Sequence, residues 1–212
     1  MQSLRLIPVA LLAALSFPVM AQDALPAGIW TNTEDEYFAE EEGREKPDWA
    51  AFEANEDGQW RPIDAFGEAQ GAWNEGPIPG LSGDAVTGWR FKGSELRRAR
   101  PFFCWVSVRK FAGKPDGSED WTFIRNLPQF DQGGRILVPG DGIAPDVTIR
   151  MRNVTWAKGS RNKPSLVLYV HKADPVRAES YSWAAPESTM IGINLRWVQA
   201  SCSKAQSKTK GP

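Results

Sequence analysis

Ten tryptophans against three tyrosines make indole the side chain in this 212-residue sequence best suited to meeting a ligand. A flat indole face stacks on a sugar ring or an aromatic molecule and takes an arginine over its π-cloud. One small interior does not readily absorb ten such rings, because each buried N–H needs an acceptor. Trp30, Trp60, Trp73 and Trp89 are the candidates to line a pocket, since they stand beside Gly, Pro, Asn or Arg rather than inside apolar runs. Arg61 and Arg90 each directly follow one of them and join them as ligand-binding candidates, although neighbours on a strand point to opposite faces. Trp105 and Trp197 lie within apolar strands and are expected in the core.

The remaining reactive side chains offer less. His171 is the only histidine and sits in the apolar run 164–172, which predicts a partly buried structural role. The chain carries no GxSxG elbow, phosphate loop, dinucleotide fingerprint or HExxH pair. Carboxylates crowd between Glu34 and Asp57 and could supply the acid and base of a glycoside hydrolase, but a solvated acidic face is the expected role. Two cysteines and one histidine leave no third or fourth soft ligand for a structural zinc. NEDG (55–58) and DQGG (131–134) set oxygen donors beside glycine without matching a calcium-binding loop. No catalytic residue, metal or cofactor is expected.

Export is expected instead. Residues 1–21 read as a signal peptide, with Arg5, an apolar stretch from Leu6 to Val19 and a Val19-Met20-Ala21 cleavage pattern. The apolar stretch, which contains Pro8 and Pro18, is shorter than the ~20 residues of a bilayer-spanning helix. No membrane span is expected after cleavage, and the expected location is the periplasm or the exterior. In such a compartment the isolated pair Cys104 and Cys202 should form a disulfide.

Charge divides the chain sharply. Residues 22–84 hold 16 acidic and 3 basic side chains, and residues 85–212 hold 21 basic and 10 acidic, within a total net charge of −1. That total argues against a dedicated nucleic-acid binder. The expectation is that the two parts lie against each other and neutralise; the alternative is a basic half facing an anionic partner.

The elements that must position these side chains are mostly strands. In 146–152, Val147, Ile149 and Met151 alternate with Thr148, Arg150 and Arg152, which predicts a half-buried strand with a solvated cationic face. At Asn153 the apolar phase slips to Val154 and Trp156, which predicts a β-bulge or a strand end. Further strands are expected at 164–172 and 189–198, with Gly/Pro/Asp turns between them. One short helix is expected near 47–55, where Trp49 and Phe52 are three apart and Asp48 stands near the start. The charge-dense stretch before it reads as a solvated loop, and 203–212 as a disordered tail. Residues 22–202 should form one mostly β domain, an antiparallel β-barrel of lipocalin-like size or a β-sandwich.

Gly28-Ile29-Trp30, opening that domain, resembles the GxW that begins the first strand of lipocalin-like barrels. In that family the tryptophan closes one end of the barrel and a late arginine packs across it; Arg196 is the match. The resemblance covers these four residues and implies a barrel.

Three functions are compatible with this reading. The first is an exported binding module with a tryptophan-lined pocket for a small apolar or sugar-like ligand. The second is an envelope module that contacts protein partners through its acidic and basic segments. The third is a carboxylate-dependent glycan hydrolase.

Overall fold

The computed structural model describes residues 24–110, 114–140, 142–143, 146–172, 174 and 176–205. The expected signal peptide and the end of the expected tail, 206–212, lie outside these residues. Ser203 and Lys204 belong to the last strand, so the ordered chain extends past the boundary at 202.

The fold is mostly antiparallel β, in four sheets. Two small sheets come from residues 28–98, the acidic part and the start of the basic part. One has the order β3-β2-β1-β7 and the other β4-β5-β6. Their strands are β1 (Gly28–Thr31), β2 (Ala51–Ala54), β3 (Trp60–Pro62), β4 (Leu81–Asp84), β5 (Gly88–Phe91), β6 (Ser94–Glu95) and β7 (Arg97–Arg98). The two large sheets hold four strands each. One is formed by β14 (Met190–Asn194), β15 (Val198–Lys204), β8 (Pro101–Lys110) and β9 (Asp120–Phe130), in that order. The other runs β10 (Gln132–Val138), β11 (Val147–Val154), β12 (Ser165–His171) and β13 (Ser180–Ala184).

Period-two alternation decides which side chains the large sheets bury. Val147, Ile149 and Met151 of β11 share one core with Leu166, Leu168 and Val170 of β12. Phe102, Val106, Ile191, Val198 and Ala200 of the other sheet enter the same core. Cys104 and Cys202 stand directly opposite each other on β8 and β15 and are bonded as a disulfide within that core. Among the described residues no ladder joins β9 to β10 or β13 to β14, so no closed barrel forms.

Trp30 does not close an end of these eight strands. It lies on β1 in a small sheet, opposite Phe52 on β2 and Arg98 on β7. Arg98, not Arg196, is the arginine beside the motif, and its guanidinium donates to the Ala27 carbonyl. Arg196 is exposed, between β14 and β15.

The expected helix at 47–55 is replaced by strand β2, whose Phe52 and Ala54 are buried in a second apolar cluster. The helix lies earlier, in the stretch expected to be a solvated loop: α1 spans Thr33–Phe38. Glu34, Asp35 and Glu36 fill its first turn, where negative charge suits the helix dipole. Phe38 then anchors it in a third apolar cluster with Val154, Ala157 and Val167. This packing also explains the phase slip. The β11–β12 register runs unbroken from Thr148 to Val154, so no bulge is present in that pairing. Val154 shares the parity of Arg150 and Arg152, and it is apolar because helix α1 covers the outer face there.

Candidate functional site

The outer face of β10–β11–β12 is where unbalanced chemistry collects. Arg135 on β10 stands opposite Arg150 on β11, and Arg150 stands opposite Tyr169 on β12. One row along, Thr148 faces His171; in the other direction Gln132 faces Arg152. The face expected to be solvated is therefore largely covered, and Arg152 is only 2% exposed.

Helix α1 supplies the compensation for Arg152. Glu34 Oε1 accepts from Arg152 Nε at 2.8 Å, and its other oxygen accepts from the Thr155 backbone N–H at 3.1 Å. The Tyr37 ring lies 3.8 Å from the guanidinium carbon, a cation–π contact. Both partners of this ion pair are buried, so the carboxylate offsets a charge that would otherwise be prohibitive, although the buried Arg152 Nη2 makes no hydrogen bond.

Arg150 has no such partner. Among the described residues it forms no ion pair with a carboxylate, and its buried Nε makes no hydrogen bond. Burial first, and then the positive charges of Arg152 and Arg135, push its guanidinium down to about 10. His171 lies close by, 1% exposed. Its ring nitrogens make no hydrogen bond of good geometry, although the backbone at Arg177 and Asp174 lies beside them. Burial, then Arg135 and Arg150, hold this imidazole below its ordinary range.

A cleft of about 630 Å³ opens between α1 and this face. Arg135, Arg150 and Gly133 line its sheet side, and Tyr37, Trp49 and Ala65 its walls. Gly133 has φ +89°, and a side chain there would strike Thr33, so the corner between β9 and β10 requires glycine. Trp49 is fixed by its indole N–H, which donates to Thr33 Oγ1 at 2.9 Å. At the lip Glu36 holds Lys46 at 2.7 Å, while Glu40 and Glu41 are exposed at the mouth.

The six ligand-binding candidates from sequence fall elsewhere. Trp89 is 3% exposed, and Trp30 and Trp60 pack on the same cluster with Phe52 and Phe91. Their needs are met internally: the Trp30 N–H donates to the Pro26 carbonyl at 2.8 Å, and that of Trp60 to Gly76 at 3.1 Å. Trp73 remains exposed with the Arg61 guanidinium stacked 4.4 Å from its ring, while Arg61 also holds Glu53 at 2.6 Å. Arg90 points away from Trp89 into a separate 550 Å³ cleft beside Arg44, Arg97 and Trp156. The structure thus joins three of the indoles as core, pairs Trp73 with Arg61, and leaves Arg90 apart.

Sequence reasoning missed Arg135, Arg150, Tyr37 and Trp49. The available signal was the two arginines sharing one parity in 146–152, read as water-facing because nothing local indicates the helix above them. The DQGG stretch is also accounted for: the buried Asp131 carboxylate accepts from the Arg100 backbone N–H at 2.7 Å and from its Nε at 2.6 Å. Among the described residues no group of three or more His, Cys, Asp or Glu side chains is placed to hold a metal ion. Comparison of the chain with family models, curated proteins and solved structures finds no match, so the cleft has to be read from its own geometry.

Proposed function

We propose that this chain is an exported, non-enzymatic binding module that seats a small ligand in the cleft between α1 and the outer face of β10–β11–β12. The observation that carries the reading is the 630 Å³ concavity with a polar group, Arg150 Nε, buried beside it and unused by the protein. A concave site with aromatic walls and a few convergent polar groups is the common form of a small-molecule pocket. Tyr37 and Trp49 provide the stacking surfaces that the tryptophan content led us to expect, at positions other than Trp30, Trp60, Trp73 and Trp89.

Four strands on either side of one core support a sandwich over a barrel, with the ligand outside the packed interior rather than within it. Three carboxylates beside α1 are engaged, Glu36 with Lys46 and Asp35 and Glu42 with Arg44, which favours binding over glycan hydrolysis there. The Cys104–Cys202 bridge supports a periplasmic or extracellular location. No helix among the described residues is long and apolar enough to cross a membrane.

A chemically diverse ligand panel, including neutral sugars, tests the reading by thermal shift and tryptophan fluorescence. Compounds that raise the melting temperature of the native chain should fail to do so for Ala65→Trp, which fills the cleft. Hits indifferent to Ala65→Trp, or a panel without any hit, would overturn it.

A further inference from the structure

We propose that the cleft takes the oxyanion head of its ligand, a single carboxylate or phosphate, on Arg150 with Arg135 beside it. This rests on the binding-module reading and names the class of ligand.

Like charges directly opposite each other on neighbouring strands are destabilising, yet Arg135 and Arg150 occupy such positions. Burial makes the arrangement costlier, because a desolvated cation requires a counter-charge. Two residues along the same strand face, Arg152 receives one in Glu34. Arg150 does not; it faces the cleft with its Nε unpartnered. A planar guanidinium fork presents parallel donors to a carboxylate or phosphate, and in a site shielded from water such charge-assisted bonds are strong. Burial first, and then the neighbouring charges of Arg152 and Arg135, lower the affinity of Arg150 for its proton, in keeping with a desolvated cation among like charges.

The rim limits what can enter. Glu40 and Glu41 stand exposed at the mouth and repel an extended polyanion, whereas one compact head passes between them to the arginines. Glu36 is held by Lys46 and is therefore engaged away from Arg150. The cleft therefore fits a small monovalent or phosphate-bearing molecule and excludes nucleic acid and polyphosphate.

Calorimetric titration of the chain without its leader, at low ionic strength, with inorganic phosphate, benzoate, benzamide, glucose and polyphosphate tests the proposal. Saturable binding of phosphate, benzoate or both is expected, with benzamide, glucose and polyphosphate silent. Phosphate alone would identify a phosphate head, and benzoate alone a carboxylate head. Arg150→Gln should weaken the positive probe by roughly 10- to 100-fold. Arg150→Lys, which keeps the charge and protects against loss of folding, should weaken it by a smaller factor because the fork is gone. Binding of glucose or benzamide without either anion, abolished by Ala65→Trp, would overturn the oxyanion assignment and leave the binding module standing. Polyphosphate binding more tightly than phosphate would overturn the single-head assignment. Anion binding unchanged in both Arg150 variants would remove Arg150 from the site.

Discussion

Glu34 and Arg152 are joined at 2.8 Å across 118 positions of chain, with side chains 1% and 2% exposed. The contact ties the acidic part of the sequence to the basic part and holds α1 over the arginine face. Among the described residues, Asp35, Glu36, Glu42 and Glu53 form their ion pairs with basic side chains of the acidic part itself, Arg44, Lys46 and Arg61. Neutralisation between the two parts is therefore concentrated in one buried pair instead of being spread over two facing surfaces.

Removing Glu34 should be among the most damaging single changes. Glu34→Ala leaves the Arg152 guanidinium buried and uncompensated, which is expected to cost about 3–5 kcal/mol in urea unfolding. The double variant Glu34→Leu/Arg152→Met should be more stable than Glu34→Ala, because neither charge is then stranded. A double variant weaker than the single would show that the pair itself is strongly stabilising.

Reduction of Cys104–Cys202 should lower stability by about 2–5 kcal/mol, because the bridge closes a 98-residue separation in the unfolded chain. Melting temperatures with and without dithiothreitol measure this. The Cys104→Ala/Cys202→Ala variant should match the reduced chain and no longer respond to reductant.

Two tryptophans separate core from surface. Trp89 is 3% exposed within the second apolar cluster, and Trp89→Ala should cost about 3–5 kcal/mol. Trp183 on β13 is 72% exposed, and Trp183→Ala should stay within about 0.5 kcal/mol of the parent. Equal losses in chemical denaturation would contradict this placement.

Acid should weaken the fold through His171. Burial and the two nearby arginines hold its imidazole below the ordinary value of 6.5, so the unfolded chain takes up a proton that the native ring resists. The contribution is complete above pH 6.5 and is lost as the pH falls from there toward the lower native value. In His171→Gln, unfolding free energies measured between about pH 7 and pH 5 should fall less steeply than in the parent. A steeper fall in the variant would reverse the sign of this account.

Much of the scaffold is legible in the order of residues. Alternation at 146–152 fixes which side of β11 enters the core, because successive side chains on a strand point to opposite faces. An isolated pair of cysteines in a chain expected to be exported similarly indicates a bridge. What covers the outward side of β11 is not written nearby. Arg150 and Arg152 differ by one pleat and share a parity, yet only Arg152 lies under Glu34, which is contributed from 118 positions away. Likewise Trp49 and Phe52 suggest a helix by spacing, but pairing of β2 with β1 overrides that local preference and α1 forms from the charged stretch before it. Side-chain parity is a local property of the backbone, whereas the partner of a buried charge is set by long-range packing; the alternation of β11 therefore followed from sequence, and the cleft existed only once α1 had docked.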